Sequence, residues 1–179
     1  MNLANKITIA RVFMIPLFLV ALFSGFFAPP LNRYIALGIF VVASLSDTLD
    51  GYIARSRNLI TNFGKFMDPL ADKLLVSAAF ISLVGMGRLS AWVVIIIISR
   101  EFIITGFRLI AAEAGVVIAA SVWGKIKTIT QMILIMVMLL NIDSLIASAI
   151  EGLLIFLATA FTVISGVDYV IKNKDVLKS

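Results

Sequence analysis

Neither cysteine nor histidine occurs among the 179 residues of the sequence. The absence of cysteine excludes disulfides and thiolate chemistry. The absence of histidine removes the commonest general base and leaves carboxylates as candidates for proton transfer.

Charge is also scarce. Charged residues make up 14% of the sequence and hydrophobic residues 61%, whereas soluble domains average about 45–50% apolar residues. This composition predicts an integral membrane protein with a single domain over residues 1–179. The net charge of +5 is better explained by membrane topology and by anionic lipids or substrates than by nucleic acid, which we do not expect as a partner.

Six apolar runs are long enough to cross a bilayer, which takes about 17–25 residues. They cover residues 9–28, 34–54, 67–86, 90–112, 125–141 and 147–170. The predicted fold is therefore an all-α integral membrane protein, a bundle of six transmembrane helices. The first run has no small-x-small cleavage site near Phe26 and Ala28, so we do not expect a cleaved signal peptide.

Lysine and arginine are distributed unequally between the two sides of this bundle. One predicted side carries Lys6, Arg11, Arg55, Arg57, Lys65, Lys73, Arg108, Lys125, Lys127, Lys172, Lys174 and Lys178. The other side carries Arg33 and Arg88, and Arg100 lies within a span. The positive-inside rule then places both termini at the cytoplasmic face of the cell membrane.

Four of the ten acidic residues lie in the segment Asp47–Asp72, DTLDGYIARSRNLITNFGKFMDPLAD. Placing a carboxylate at the end of an apolar run costs free energy, so four of them in one segment need a structural or functional explanation. The spacings of Asp47 with Asp50 and of Asp68 with Asp72 predict that each pair shares a helix face. If the link between them is a turn, the pairs face each other and bound cations offset their repulsion. All-oxygen ligands select hard ions such as Mg²⁺ or Mn²⁺.

Small and cationic residues accompany these aspartates. Gly51 and Ala54 follow Asp50 by one and four positions, which leaves room for a bulky group beside the metals or for a close helix crossing. Arg55 is a bidentate donor suited to phosphate. Metal ions, a phosphate-binding arginine and a bare helix surface together favour phosphoryl transfer at the cytoplasmic face.

The same segment resembles the signature of the CDP-alcohol phosphatidyltransferase family, D-x2-D-G-x2-A-R-x8-G-x3-D-x3-D. Every gap matches, and the specified positions are Asp47, Asp50, Gly51, Ala54, Arg55, Gly64, Asp68 and Asp72. A lone D-x2-D would be weak support, whereas eight matched positions are specific. The resemblance implies a homodimeric enzyme that joins a CDP-linked lipid to an alcohol and releases CMP.

Three further segments, NLANKITIAR, SREFIITGFR and WGKIKTITQ, resemble the phosphatidylglycerophosphate synthase branch of this family. In the first of them, Ala4 replaces a proline of the branch pattern. The resemblance extends over most of residues 2–131. It implies CDP-diacylglycerol as the donor and sn-glycerol 3-phosphate as the acceptor.

The resemblance also implies roles for individual residues. Two divalent ions, Mg²⁺ or Mn²⁺, would be held by Asp47, Asp50, Asp68 and Asp72. The CDP-lipid would be contacted by Gly51, Ala54, Arg55, Thr61 and Gly64. Asp72 would act as the catalytic base that takes the proton of the acceptor hydroxyl, whose oxygen attacks the β-phosphorus directly.

Cations outside the signature favour an acceptor that carries a phosphate. The predicted acceptor-phosphate ligands are Thr8 and Arg11 in the first helix, Arg108 in the fourth and Lys125 at the start of the fifth. The structural alternatives are a capped, interfacial start of the first helix and snorkelling lysines in the fifth.

Other polar residues lie deep in the fourth and fifth spans. Because sequence neighbours do not face each other on a helix, we expect Arg100 and Glu101 to have separate partners, in a structural or a functional role. A repeat of three predicts one polar stripe along the fifth span, with Lys127 on another face. The predicted stripe consists of Lys125, Thr128 and Gln131.

Three alternative functions are weighed against this one. In the first alternative the same chemistry serves another acceptor, such as inositol phosphate, serine or phosphatidylglycerol. A cation-coupled transporter is a different class, but it predicts carboxylates at the bilayer midplane and a discontinuous helix. A non-catalytic scaffold on the same fold would be expected to lose one or more of the four aspartates, and all four are present.

Overall fold

The computed structural model describes residues 3–56, 62–113, 118 and 121–173. Across these ranges the chain forms helices and no strand, as predicted. The helices are α1 (Leu3–Phe23), α2 (Leu31–Ser56), α3 (Asn62–Gly85), α4 (Ala91–Glu113), α5 (Val122–Leu140) and α6 (Leu145–Lys172). Within these described ranges, α5 and α6 are long and apolar enough to cross a membrane. The crossing of all six helices stays a prediction.

The observed helices match the predicted apolar runs, with the largest differences in α1. That helix begins at Leu3 rather than near residue 9, because hydropathy marks the apolar part of a helix and misses its polar first turns. It ends at Phe23 rather than near residue 28. Gly25 adopts a left-handed conformation with φ of 74°, which commonly terminates a helix.

The chain divides into two compact units, residues 1–82 and 83–179. In the first unit α1 packs against α2. The rings of Phe18 and Phe40 are fully buried there, with centroids 6.4 Å apart. The Asn32 side chain donates a hydrogen bond to the carbonyl of Leu22 at 3.1 Å, which connects the start of α2 to the end of α1. The single domain over residues 1–179 stays a prediction.

In the second unit α6 packs against both α4 and α5. Ser121 and Ser144 cap α5 and α6, because their hydroxyls accept hydrogen bonds from the backbone N–H groups of Gly124 and Ala147. Many large apolar side chains of this unit are exposed, among them Trp92, Phe102 and Leu145. An extensive exposed apolar surface is typical of helices in contact with lipid.

Candidate functional site

The aspartate signature spans the end of α2 and the start of α3. Its positions 47, 50, 51, 54 and 55 lie in α2, and positions 64, 68 and 72 lie in α3. The helical conformation gives both aspartate pairs the spacing of a shared helix face, as predicted. Asp72 is half-buried. Thr61 and the rest of the link lie outside the described residues, as do the side chains of Asp47, Asp50, Gly51, Ala54, Arg55, Gly64 and Asp68.

The chemistry of the signature suits divalent metal ions. Among the side chains that the structure describes, no three potential metal ligands come together, but three of the four predicted ligands fall outside that set. The donors are carboxylate oxygens on two helices, two from each. Oxygen-only donors fit Mg²⁺ or Mn²⁺ rather than softer metals. The binding of metal by these aspartates stays a prediction.

Thr8 and Arg11 are both buried in the first unit, each with 1% of its surface exposed. They are three positions apart in α1 and therefore share a helix face. Such burial argues against the alternative that they are interfacial anchors at an exposed helix start. A buried arginine in an apolar helix is a functional candidate, and its contact with acceptor phosphate stays a prediction.

The prediction that Arg100 and Glu101 have separate partners is wrong. Arg100 Nη1 donates to Glu101 Oε1 at 3.1 Å, because both side chains are long enough to meet although they are adjacent in sequence. The same carboxylate oxygen also pairs with the ammonium group of Lys127 on α5. The stem of Arg100 packs over Gly166 of α6, where an added Cβ would lie 3.3 Å from Arg100 Cγ.

The residues of the predicted polar stripe along α5 differ in burial, and the prediction that Lys127 lies on another face is wrong. Lys125 and Thr128 are exposed, whereas Gln131 is buried. Its amide donates to the hydroxyl of Thr162 on α6 at 3.0 Å. The buried polar face of α5 instead combines Gln131 with Lys127, four positions before it and 4% exposed. The carboxylate of Glu101 on α4, itself partly buried, pairs with Lys127 and so compensates its charge.

Arg108 and Lys125, the two predicted acceptor ligands of the second unit, are both exposed. Arg108 Nε donates to the hydroxyl of Tyr169 on α6 at 3.2 Å. Its Cζ lies 5.6 Å from the centroid of the same ring, within the range of a cation–π interaction. In the part of the chain that the structure describes, no group pairs with the terminal nitrogens of Arg108.

Sequence reasoning assigned no partner or role to two residues of this region, Lys127 and Tyr169. The spacing of four between Lys127 and Gln131 was a usable signal for a shared polar face. Tyr169 had no comparable signal beyond its position near the end of an apolar helix, where tyrosine is common. Its contact with Arg108 joins residues 61 positions apart, and only the packing of α6 on α4 shows it.

Comparison with known proteins identifies the relatives of this chain. A sequence model of the CDP-alcohol phosphatidyltransferase family matches residues 1–164. A Bacillus subtilis (strain 168) protein named CDP-diacylglycerol–glycerol-3-phosphate 3-phosphatidyltransferase is 46% identical over 99% of this chain and 98% of its own length. A Mycobacterium tuberculosis protein (strain ATCC 25618 / H37Rv) named probable phosphatidylglycerophosphate synthase is 41% identical over 94% of this chain and 80% of its own.

A third relative, from Rickettsia bellii (strain RML369-C), bears the same name as the Bacillus protein and is 34% identical over 94% of this chain and 93% of its own length. The family match covers all eight signature positions and includes helices of both units. The chain therefore belongs to the CDP-alcohol phosphatidyltransferase family.

Proposed function

We propose that this protein is an enzyme that transfers the phosphatidyl group of CDP-diacylglycerol to sn-glycerol 3-phosphate. The products are phosphatidylglycerophosphate and CMP. The observation that carries this proposal is 46% identity over nearly the full length of a relative named for that reaction. The complete aspartate signature supports it, because a chain that had lost catalysis would not need all four carboxylates.

The residues of α2 and α3 carry the chemistry in this proposal. Asp47, Asp50, Asp68 and Asp72 would hold two divalent ions, which when bound neutralise charge on the diphosphate and on the departing CMP. Asp72 accepts the proton of the acceptor hydroxyl, whose oxygen then forms a bond to the β-phosphorus as the bond to CMP breaks. The CDP-lipid is bound by Gly51, Ala54, Arg55, Thr61 and Gly64.

The acceptor phosphate is bound by cations in this proposal. Thr8 and Arg11 are supported by their burial in an apolar helix. Lys125 is supported by its exposure, whereas the ammonium group of nearby Lys127 is paired with Glu101. Arg108 is supported by its exposure and by its contact with Tyr169, which uses Nε and leaves the two terminal nitrogens without a partner among the described residues. An acceptor that bears a phosphate would use these donors, and a cationic acceptor such as choline would be repelled.

The setting of the reaction belongs to the same proposal. All six helices cross the cell membrane, and the signature faces the cytoplasm, where CDP-linked donors and glycerol 3-phosphate would meet it. The excess of lysine and arginine on that side supports this orientation. The enzyme acts as a homodimer, as the resemblance implies, among membrane lipids and without nucleic acid.

The test is an activity screen of the purified protein in detergent with CDP-diacylglycerol, Mg²⁺ or Mn²⁺, and one acceptor at a time. The acceptors are glycerol 3-phosphate, inositol phosphate, serine and phosphatidylglycerol, with CMP release and the lipid product as readouts. We expect turnover with glycerol 3-phosphate and its loss when a chelator removes divalent ions. CMP release with another acceptor, but not with glycerol 3-phosphate, would overturn the proposed acceptor.

A further inference from the structure

Tyr169 is buried and closely packed near the end of α6. Its surface is 2% exposed, and the ring of Phe107 on α4 meets it edge-on, with centroids 5.7 Å apart and an interplanar angle of 87°. Ile104 belongs to the same buried cluster. One turn further on, the side chain of Asn173 donates to the backbone carbonyl of Tyr169 at 2.7 Å. This packing fixes the position of the Tyr169 hydroxyl, which can then orient a side chain that hydrogen-bonds to it.

That partner is Arg108, whose side chain is otherwise exposed. Its Nε donates to the Tyr169 hydroxyl at 3.2 Å, and the ring lies beside the guanidinium. An arginine presents five N–H donors in a rigid planar fork. When Nε is occupied by the tyrosine, the two terminal nitrogens remain as a parallel pair, which matches two oxygens of a phosphate.

The kind of acceptor that holds each arginine distinguishes Arg108 from its neighbours in the second unit. Arg88 donates to both carboxylate oxygens of Glu151 at 2.7 and 2.9 Å, and Arg100 donates to the carboxylate of Glu101. In both cases the arginine is paired with a carboxylate, which Arg100 shares with Lys127. The structure gives Arg108 an uncharged hydroxyl instead, which fixes the direction of the guanidinium without reducing its charge.

We infer that Tyr169 is a positioning residue for the acceptor, which orients Arg108 so that its terminal nitrogens receive the phosphate of glycerol 3-phosphate. This inference rests on the proposed function and adds to it a residue that touches no substrate. An arginine that served only to join α4 to α6 would not need to be exposed, and among the side chains that the structure describes no carboxylate pairs with Arg108.

The test compares Tyr169→Phe with the unchanged enzyme. This change removes one hydroxyl and keeps the ring that packs against Phe107. The loss of one orienting hydrogen bond should raise the KM for glycerol 3-phosphate about three- to tenfold. The kcat, the KM for CDP-diacylglycerol and the unfolding temperature should stay near those of the unchanged enzyme. Tyr34→Phe is the matched control, because Tyr34 is half exposed in α2 and should leave all four quantities unchanged.

A double-mutant cycle with Arg108→Lys separates positioning from packing. Lysine keeps a positive charge but lacks the Nε that the tyrosine holds, so Tyr169→Phe should add no further rise in KM in that background. An unchanged KM for Tyr169→Phe, or an equal additional rise in the Arg108→Lys background, would overturn the inference and leave the proposed function intact. Absence of turnover with glycerol 3-phosphate in the unchanged enzyme would contradict both.

Discussion

At the scale of single residues, the partner of a charged side chain determines whether that side chain stabilises the fold or is available to bind a ligand. Lys125 and Lys127 are two positions apart, yet the first is exposed and the second is buried against Glu101. A buried cation requires a compensating anion, since the loss of its partner typically costs about 3–5 kcal/mol. Glu101 therefore has a structural role at Lys127, and the exposed Lys125 remains available to bind an anion.

Asp72 offers a residue-scale test of the proposed base. We expect Asp72→Asn to lower turnover by about 10²–10⁴-fold, because an amide cannot accept the proton of the acceptor hydroxyl. CDP-diacylglycerol binding should be largely retained, since the three other signature aspartates remain. Turnover is measured by CMP release, and donor binding by isothermal titration calorimetry.

Asp143→Asn is the control for that experiment, because it makes the same chemical change at an exposed loop position. It should leave turnover unchanged. If Asp72→Asn turned over normally, Asp72 would not be the base.

At the scale of elements, buried polar contacts set how the helices of the second unit pack. Gln131 on α5 donates to the Thr162 hydroxyl on α6, and that hydroxyl donates to the carbonyl of Ala158 at 2.6 Å. Both Gln131 and Thr162 are buried among apolar side chains. Such a contact fixes the register of two helices, because any sliding leaves a buried amide without an acceptor.

Thr162→Val tests this contact. Valine keeps the shape of threonine but removes the acceptor of the Gln131 amide. We expect the free energy of unfolding to fall by about 1–3 kcal/mol, as measured by denaturant titration in detergent. Thr159→Val is the matched control, because Thr159 lies one turn earlier and its hydroxyl donates to the backbone carbonyl of Ile155. Equal losses in the two variants would show that the contact between α5 and α6 contributes nothing specific.

At the scale of the whole molecule, an excess of exposed apolar surface and an uneven distribution of cations support the proposed membrane location and orientation. Large apolar side chains are exposed on helices of both units, such as Phe13 on α1 and Phe156 on α6. In water such surfaces would cause association, whereas in a bilayer they contact lipid. The proposed orientation follows from twelve cations on one predicted side against two on the other.

Because the sequence contains no cysteine, single cysteines can report this orientation. Ile142→Cys, in the exposed link between α5 and α6, should react with a membrane-impermeant maleimide added outside intact cells. Lys172→Cys, at the other end of α6, should react only after the membrane is permeabilised. Activity of both variants provides the folding control. Labelling of Lys172→Cys from outside would reverse the proposed orientation.

The sequence by itself determined the class of this protein. Apolar runs of membrane-spanning length predict six helices because hydropathy and helix periodicity are local properties. The aspartate signature identifies the family because its spacing lies within twenty-six consecutive residues. Its placement across the end of α2 and the start of α3 was predictable for the same reason.

Only the tertiary structure decided the partners of the polar residues outside the signature. The pairing of Glu101 with Lys127, of Gln131 with Thr162 and of Arg108 with Tyr169 joins residues 26 to 61 positions apart. These partners depend on how α4, α5 and α6 pack against one another. The spacing of residues along a single helix does not predict that packing. The sequence shows that a polar residue is costly in an apolar helix, and the fold determines which group compensates it.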